Sequence, residues 1–299
     1  MRIFSKQKTF GSINYQFMTA LFIVLFVGAI FAGFLGSLTG LGGGVVLVPL
    51  LTIGFGIDIR YAIGTSLIAV IATSSGAASA FLKDGLLNIR IGMFLEIATT
   101  LGAVAGAAIA YFAPTHIIAI IFGFVLLYSA VVSFRKSKEA DDLHDQDKVK
   151  YGRFAHLLKA RGTFVDKTGG EINYKLQHVG GGFAVMMVAG ILSGLLGIGS
   201  GALKVIAMDS IMKIPFKVST ATSNFMIGVT AAASAGIYFS RGYIDPVLSM
   251  PIMIGVLSGS LLGARILLKS QTKSIRVIFA VVIVFLAMEM IYNGIVKSI

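Results

Sequence analysis

Two glycine-broken stretches carry the residue types best suited to chemistry in this sequence: GSLTGLGGGVVLVP at Gly36–Pro49 and SGLLGIGSGALKV at Ser193–Val205. The first clusters Gly40, Gly42, Gly43 and Gly44; the second clusters Gly197, Gly199, Ser200 and Gly201. Each is followed by a short apolar piece and then by polar side chains, Thr65-Ser66 in one case and Thr222-Ser223-Asn224 in the other. Glycine lets a small ligand approach backbone N–H groups, and a helix starting just behind points its positive end at that ligand. Val45 and Ala202 are expected to begin such helices. The hydroxyls and the amide add donors. Lys204, three residues after Gly201, adds a positive charge. Together these residues suit a small anion: the first copy would supply mainly backbone donors, the second the charge. The competing reading is that the glycines only let helices approach and the hydroxyls only bond to their own backbone.

The elements that must hold these residues are membrane helices. Of the 299 residues 56% are hydrophobic and 13% charged, about half the charged share of a soluble domain. Long apolar runs recur at about 17–39, 61–82, 91–112, 116–134, 179–196, 217–239, 247–268 and 275–293. They are continuous rather than alternating, which argues against a β-barrel. Two short runs, about 45–56 and 202–212, follow the glycine clusters. At about 16–18 Å of helix they are too short for a ~30 Å hydrocarbon core unless tilted, re-entrant or buried. The first run exceeds a signal-peptide core and is read as a retained helix. The net charge of +12 sits mostly between apolar runs, which points to topology and anionic lipid, not to nucleic acid. Cysteine is absent, so there is no thiol nucleophile and no cysteine metal cage.

The chain repeats itself. Gly33 and Gly190, Gly40 and Gly197, Gly44 and Gly201, Thr65-Ser66 and Thr222-Ser223, Gly102 and Gly259, and Gly106 and Gly263 are all 157 residues apart. Residues 1–134 and 179–299 therefore read as two homologous repeats, joined by a polar linker at 135–178. The linker holds ten Lys/Arg and seven Asp/Glu, which argues for the cytoplasm. Within it, Gly162–Leu176 reads as a hairpin, with Phe164, Val165, Ile172 and Tyr174 on its sides and Gly169-Gly170 at the turn. The expected fold is an all-α polytopic membrane protein, each repeat having four long transmembrane helices and one short glycine-interrupted helix. Short segments that cross would give five crossings and inverted repeats; short segments that turn back would give four and parallel repeats. Charge counts do not separate the two, since each strands some basic residues (Arg2, Lys6 and Lys8, or Lys269, Lys273 and Arg276) on the wrong side. The reading leans to re-entrant short segments with the N-terminus inside.

SGLLGIGSGALKV, TATSNFMIGVTAAASAG at Thr220–Gly236, RGYIDP at Arg241–Pro246 and the hairpin GTFVDKTGGEINY, together with GLGGGVVLVPLL and GTSLIAV in the first half, resemble the TauE/SafE family of sulfite-exporter-like membrane permeases. The likeness runs from about residue 25 over nearly the whole chain. It implies export or import of small sulfur-containing anions such as sulfite or organosulfonates, in a multi-pass protein of the cell membrane. Where the family usually has a third adjacent glycine and a proline in the second repeat, this sequence has Ser200 and Ile206.

Other chemistry is poorly served. Gly197, Gly199 and Ala202 match G-x-G-x-x-A, but the strand before and the acidic residue after are missing. No phosphate-binding P-loop is present, and no triad or metal-ligand spacing stands out among His116, His144, His156 and His178. The chain is read as a non-enzyme without a cofactor. Its expected partners are a small anionic substrate and the lipid bilayer, and a homo-oligomer is compatible with the sequence. A passive anion channel and a non-transporting membrane assembly factor are the alternatives. Ionisable residues inside apolar runs are functional candidates by default. Lys204 leads them, against the alternatives that it snorkels or pairs with Asp209. Glu96, Arg265 and Glu289 are read as interfacial anchors near helix ends, and the Gly102/Gly106 and Gly255/Gly259/Gly263 ridges as packing surfaces.

Overall fold

A computed structural model describes residues 15–39, 42–83, 87–136, 161–165, 171–269 and 273–296. The apolar runs form helices within about three residues of their expected limits: α1 (Tyr15–Thr39), α3 (Ile59–Lys83), α4 (Ile89–Phe112), α5 (Thr115–Lys136), α6 (Val179–Leu196), α8 (Phe216–Ser240), α9 (Pro246–Lys269) and α10 (Lys273–Val296). The two short runs become α2 (Gly44–Pro49) and α7 (Gly201–Ile206), each continued by one π-helical turn, Leu50–Gly54 and Ala207–Ile211. The linker contributes β1 (Arg161–Val165) antiparallel to β2 (Glu171–Lys175), with Phe164 opposite Ile172; Gly169-Gly170 lie outside the described residues.

The core is apolar, as in a water-soluble protein, but the outer surface is apolar as well, and many hydroxyl and amide side chains are buried. Phe31, Ile97, Leu101, Phe124, Phe239 and Phe285 are more than half exposed, whereas Ser37, Thr65, Ser66, Thr73, Thr99, Ser219, Asn224 and Thr230 are buried. An apolar outer belt on this scale belongs against lipid. By length and composition, the described parts of α3, α4, α6 and α9 are long and apolar enough to cross a membrane.

Helix directions follow from which residues meet. Gly255, Gly259 and Gly263 of α9 abut Phe26, Ile30 and Phe34 of α1 in that order, so α1 and α9 run the same way. Gly102 and Gly106 of α4 abut Met187 and Ile191 of α6, and are likewise parallel. A Cβ at Gly106 or Gly259 would come within 2.0 Å of a carbonyl oxygen on the neighbouring helix, so only glycine fits. Gly92 meets Thr222 and Glu96 meets Thr230, which aligns α4 with α8. Hence α6 and α8 share a direction, and the short α7 between them must carry the chain back.

Helices that stand 157 residues apart in the chain run in opposite directions. Along α3, Gly64 meets Tyr243 beyond the end of α8 and Ser74 meets Asn224; past the end of α3, Asn88 meets Thr222. Gly123 of α5 meets Ile291 of α10, while Gly294 meets Ile120. The lean toward short segments that leave four crossings and parallel repeats is therefore corrected: α2 and α7 are return legs, and α3/α8 and α5/α10 run antiparallel. Basic residues could not reveal this, because either arrangement strands some of them on the wrong side.

Local details recur at the same spacing. Gly42 (φ 80°) matches Gly199 (φ 72°), and Gly56 (φ 63°) matches Lys213 (φ 57°). Asn88 Oδ1 accepts the Ile91 N–H at 3.2 Å to cap α4, and Asp245 Oδ1 accepts the Val247 N–H at 2.9 Å to cap α9. The π-turn follows Pro49 in one half and Ile206 in the other, so proline is not its cause.

Candidate functional site

The glycine breaks sit at the starts of α2 and α7, neither of which has a side-chain cap. In the first, Gly42 takes the left-handed backbone and Gly43 the right-handed helical one. In the second, Gly197 (φ 66°), Gly199 (φ 72°) and Ser200 (φ 48°) are all left-handed. Ser200 thus holds a glycine-type conformation with a side chain attached, and the two breaks differ at this position. Gly40 lies outside the described residues.

The breaks meet in the core. A Cβ on Gly44 would sit 2.7 Å from the Gly197 oxygen, and Gly42 faces the Ile198 oxygen. Ser66 Oγ lies 2.7 Å from the Gly197 oxygen and 2.9 Å from that of Ile63. Ser223 Oγ donates to Gly201 O at 3.3 Å, and Asn224 Nδ2 to Thr220 O at 3.1 Å and Ser37 O at 3.5 Å. Several candidate donors are thus directed at backbone carbonyls. Thr65 Oγ1 and Ser200 Oγ, both buried, have no hydrogen-bond partner. Thr222 turns away and accepts the Asn88 N–H at 3.2 Å. The structure brings together Gly42, Gly44, Ser66 and Gly197, and Gly199 packs on Val70 and Ile227, the side chains that also face Gly42.

Lys204 neither snorkels nor takes Asp209 as its ion-pair partner. Its side chain is 0% exposed; Nζ donates to Thr230 Oγ1 and stands 3.9 Å from Glu96 Oε2. Glu96 is 4% exposed, which corrects its reading as an interfacial anchor. Its Oε1 accepts from Thr230 at 2.6 Å and from Thr100 at 3.2 Å, while Oε2 accepts no hydrogen bond. The pair ties α7 to α4 and α8. Arg265 is exposed, and Glu289 is half-buried with Oε2 accepting from Asn293 Nδ2 at 3.2 Å.

A second polar feature went unnoticed in the sequence. Arg60, Tyr111, Tyr238, Arg241 and Tyr243 line one cavity at the ends of α3, α4 and α8. Arg241 stacks 3.8 Å from the Tyr111 ring centre, and Arg60 donates to Ala113 O at 3.0 Å. Only the folded chain unites them, since Arg60 begins α3 and Arg241 ends α8.

A family model described as "Sulfite exporter TauE/SafE" matches residues 25–290. The chain belongs to the TauE/SafE family. Among its relatives is the probable membrane transporter protein YunE of Bacillus subtilis, 31% identical over 281 residues that cover 92% of this chain and 98% of the relative. The probable membrane transporter protein MJ0441 of Methanocaldococcus jannaschii is 25% identical, covering 90% and 94% of the two chains. No solved structure matches. Membership makes this TauE/SafE chain a membrane transporter, and it accounts for the apolar outer belt. The meeting breaks and the buried Glu96–Lys204 pair lie within the matched region.

Proposed function

We propose that this TauE/SafE transporter is a secondary carrier of a small sulfur-containing anion, such as sulfite or an organosulfonate. It would work by alternating access between two inverted repeats, 1–134 and 179–299, each with four long helices and one short return helix. The observation that carries the reading is the contact of Gly44 with the Gly197 carbonyl: two unwound segments from opposite halves meet in the core. Paired broken helices at the interface of inverted repeats are where such carriers hold substrate. The proposed binding residues are Gly40, Gly42, Gly43, Gly44, Thr65, Ser66, Gly197, Gly199, Ser200, Gly201, Lys204, Thr222, Ser223 and Asn224. Arg60 and Arg241, which line a small cavity at the ends of α3 and α8, are proposed to attract the anion from solution. The protein is a multi-pass component of the cell membrane, and the basic linker 135–178 lies in the cytoplasm.

The test is tracer flux in proteoliposomes across sulfite, thiosulfate, methanesulfonate and acetate. Saturable, counterflow-competent movement of a sulfur oxyanion is expected, with loss in Gly199→Leu and Lys204→Ala. Wild-type flux that survives both substitutions would move the site elsewhere.

A further inference from the structure

We propose that Glu96 is a proton-binding site that couples the anion to the proton, with Lys204 shared between Glu96 and the anion. The proposal rests on the transport reading above and adds the coupling ion and the sign of coupling.

The fold itself does not require a charge here. Leu47, the residue 157 positions before Lys204, is fully buried at the corresponding place in α2. Thr73, the counterpart of Thr230, donates to Ala69 O, and Thr230 Oγ1 lies at the equivalent distance from Met226 O, 2.9 Å, although its hydrogen is directed to Glu96. An apolar side chain therefore serves the same packing in the other half. A buried ion pair is at best weakly stabilising compared with apolar residues of similar volume, so its presence among lipid-facing helices points to a task.

The network is half-satisfied in a particular way. Lys204 has three donors, and among the described residues Thr230 is the one hydrogen-bond acceptor for them. Glu96 Oε2 stands at ion-pair distance without a hydrogen bond, and its other oxygen is held by two hydroxyls. A proton can add at Oε2 with the carboxyl group held in place. It neutralises Glu96 and leaves the ammonium without a counter-charge. The nearest broken backbone is Ser200–Gly201, one turn earlier on the same helix, where the Ser200 hydroxyl is buried and unpartnered. An anion bound there replaces Glu96 as the counter-ion of Lys204.

No other ionisable side chain is in ion-pair contact with Glu96 or Lys204 among the described residues. Besides these two, the surrounding elements carry Arg90 and Tyr111 on α4, Asp209 on the π-turn after α7, Lys217 and Tyr238 on α8, and His116, Tyr128, Arg135 and Lys136 on α5; α6 carries none. Arg90, Tyr111, His116 and Tyr128 are exposed. Proton and anion therefore strengthen each other's binding, and by linkage they travel in the same direction. The proton leaves Glu96 as the anion leaves Lys204, and the ion pair re-forms.

Proteoliposomes with an imposed pH gradient test this, using the same anion panel and including methanesulfonate, whose charge does not titrate. Wild type should accumulate the carried anion when the side it comes from is acidic. Glu96→Gln should lose at least tenfold of that accumulation while still exchanging anion for anion, and Glu96→Asp should retain gradient drive. Glu289→Gln, outside this cluster, should behave as wild type. Gradient-driven accumulation that persists in Glu96→Gln would overturn the proposal. So would a parallel loss of exchange and accumulation with a lowered melting temperature, since that marks a purely structural pair. If wild type carries none of the four anions, the transport reading itself falls, and the coupling with it.

Discussion

Ser66 Oγ lies 2.7 Å from the carbonyl oxygen of Gly197, 131 residues away in the chain. A hydroxyl from the first half thus satisfies a carbonyl that the break in the second half sets free. Removing it leaves a buried acceptor unpaired, which costs about 1–3 kcal/mol. Ser66→Ala should lower the unfolding midpoint in detergent by several degrees. Ser75→Ala, at an exposed hydroxyl bonded to its own helix, should shift it little.

Ser200 sits at φ 48°, where a Cβ is disfavoured by about 1–2 kcal/mol. Ser200→Gly should raise the unfolding midpoint, and Ser200→Val should lower it. Circular dichroism melts of the purified proteins would read both.

Gly106 and Gly236 make an opposed pair. A Cβ at Gly106 meets the Ile191 oxygen at 2.0 Å, whereas one at Gly236 meets nothing within 4 Å. Gly106→Leu should abolish recovery of monodisperse protein by size-exclusion chromatography. Gly236→Ala should be tolerated, with a gain of about 0.5–1 kcal/mol from helix propensity.

The chain has no cysteine, so single introduced thiols report topology cleanly. Gly56 and Lys213 are exposed, 157 residues apart and alike in backbone. With antiparallel halves, Gly56→Cys and Lys213→Cys should react with a membrane-impermeant maleimide from opposite faces. Labelling of both from one face would restore the parallel arrangement.

Arg241 is exposed at the cavity mouth and stacked on Tyr111. Arg241→Gln should raise KM for a transported anion several-fold with little change in kcat. The difference from wild type should shrink at high ionic strength, where exposed charges are screened beyond about one Debye length.

The helices were legible because long apolar runs leave few alternatives. Direction was not legible. It depends on whether α2 and α7 reverse the chain, and that is decided by contacts such as Gly92 with Thr222. Distance from the helix start is a poor guide to Glu96. Its face held the better signal: Gly92, Glu96, Thr99, Ala103 and Gly106 fall on one stripe, the one α4 turns to α6 and α8. A carboxylate on a small-residue stripe belongs inside. The left-handed backbone of Ser200 carries no mark in its side-chain type, since serine rarely adopts it.

The pairing of α1 with α9 and of α4 with α6 bears on how the protein is made. The grooves at Gly33 in α1 and at Gly102 and Gly106 in α4 are filled only by helices from the second half. During synthesis the first five segments leave the ribosome with those grooves open to lipid or to an insertion chaperone. Final assembly waits for translation to deliver α6 and α9, so neither half is an independent folding unit. Co-expressed halves should find each other in the membrane, while a half made alone would present its glycine grooves to cellular quality control.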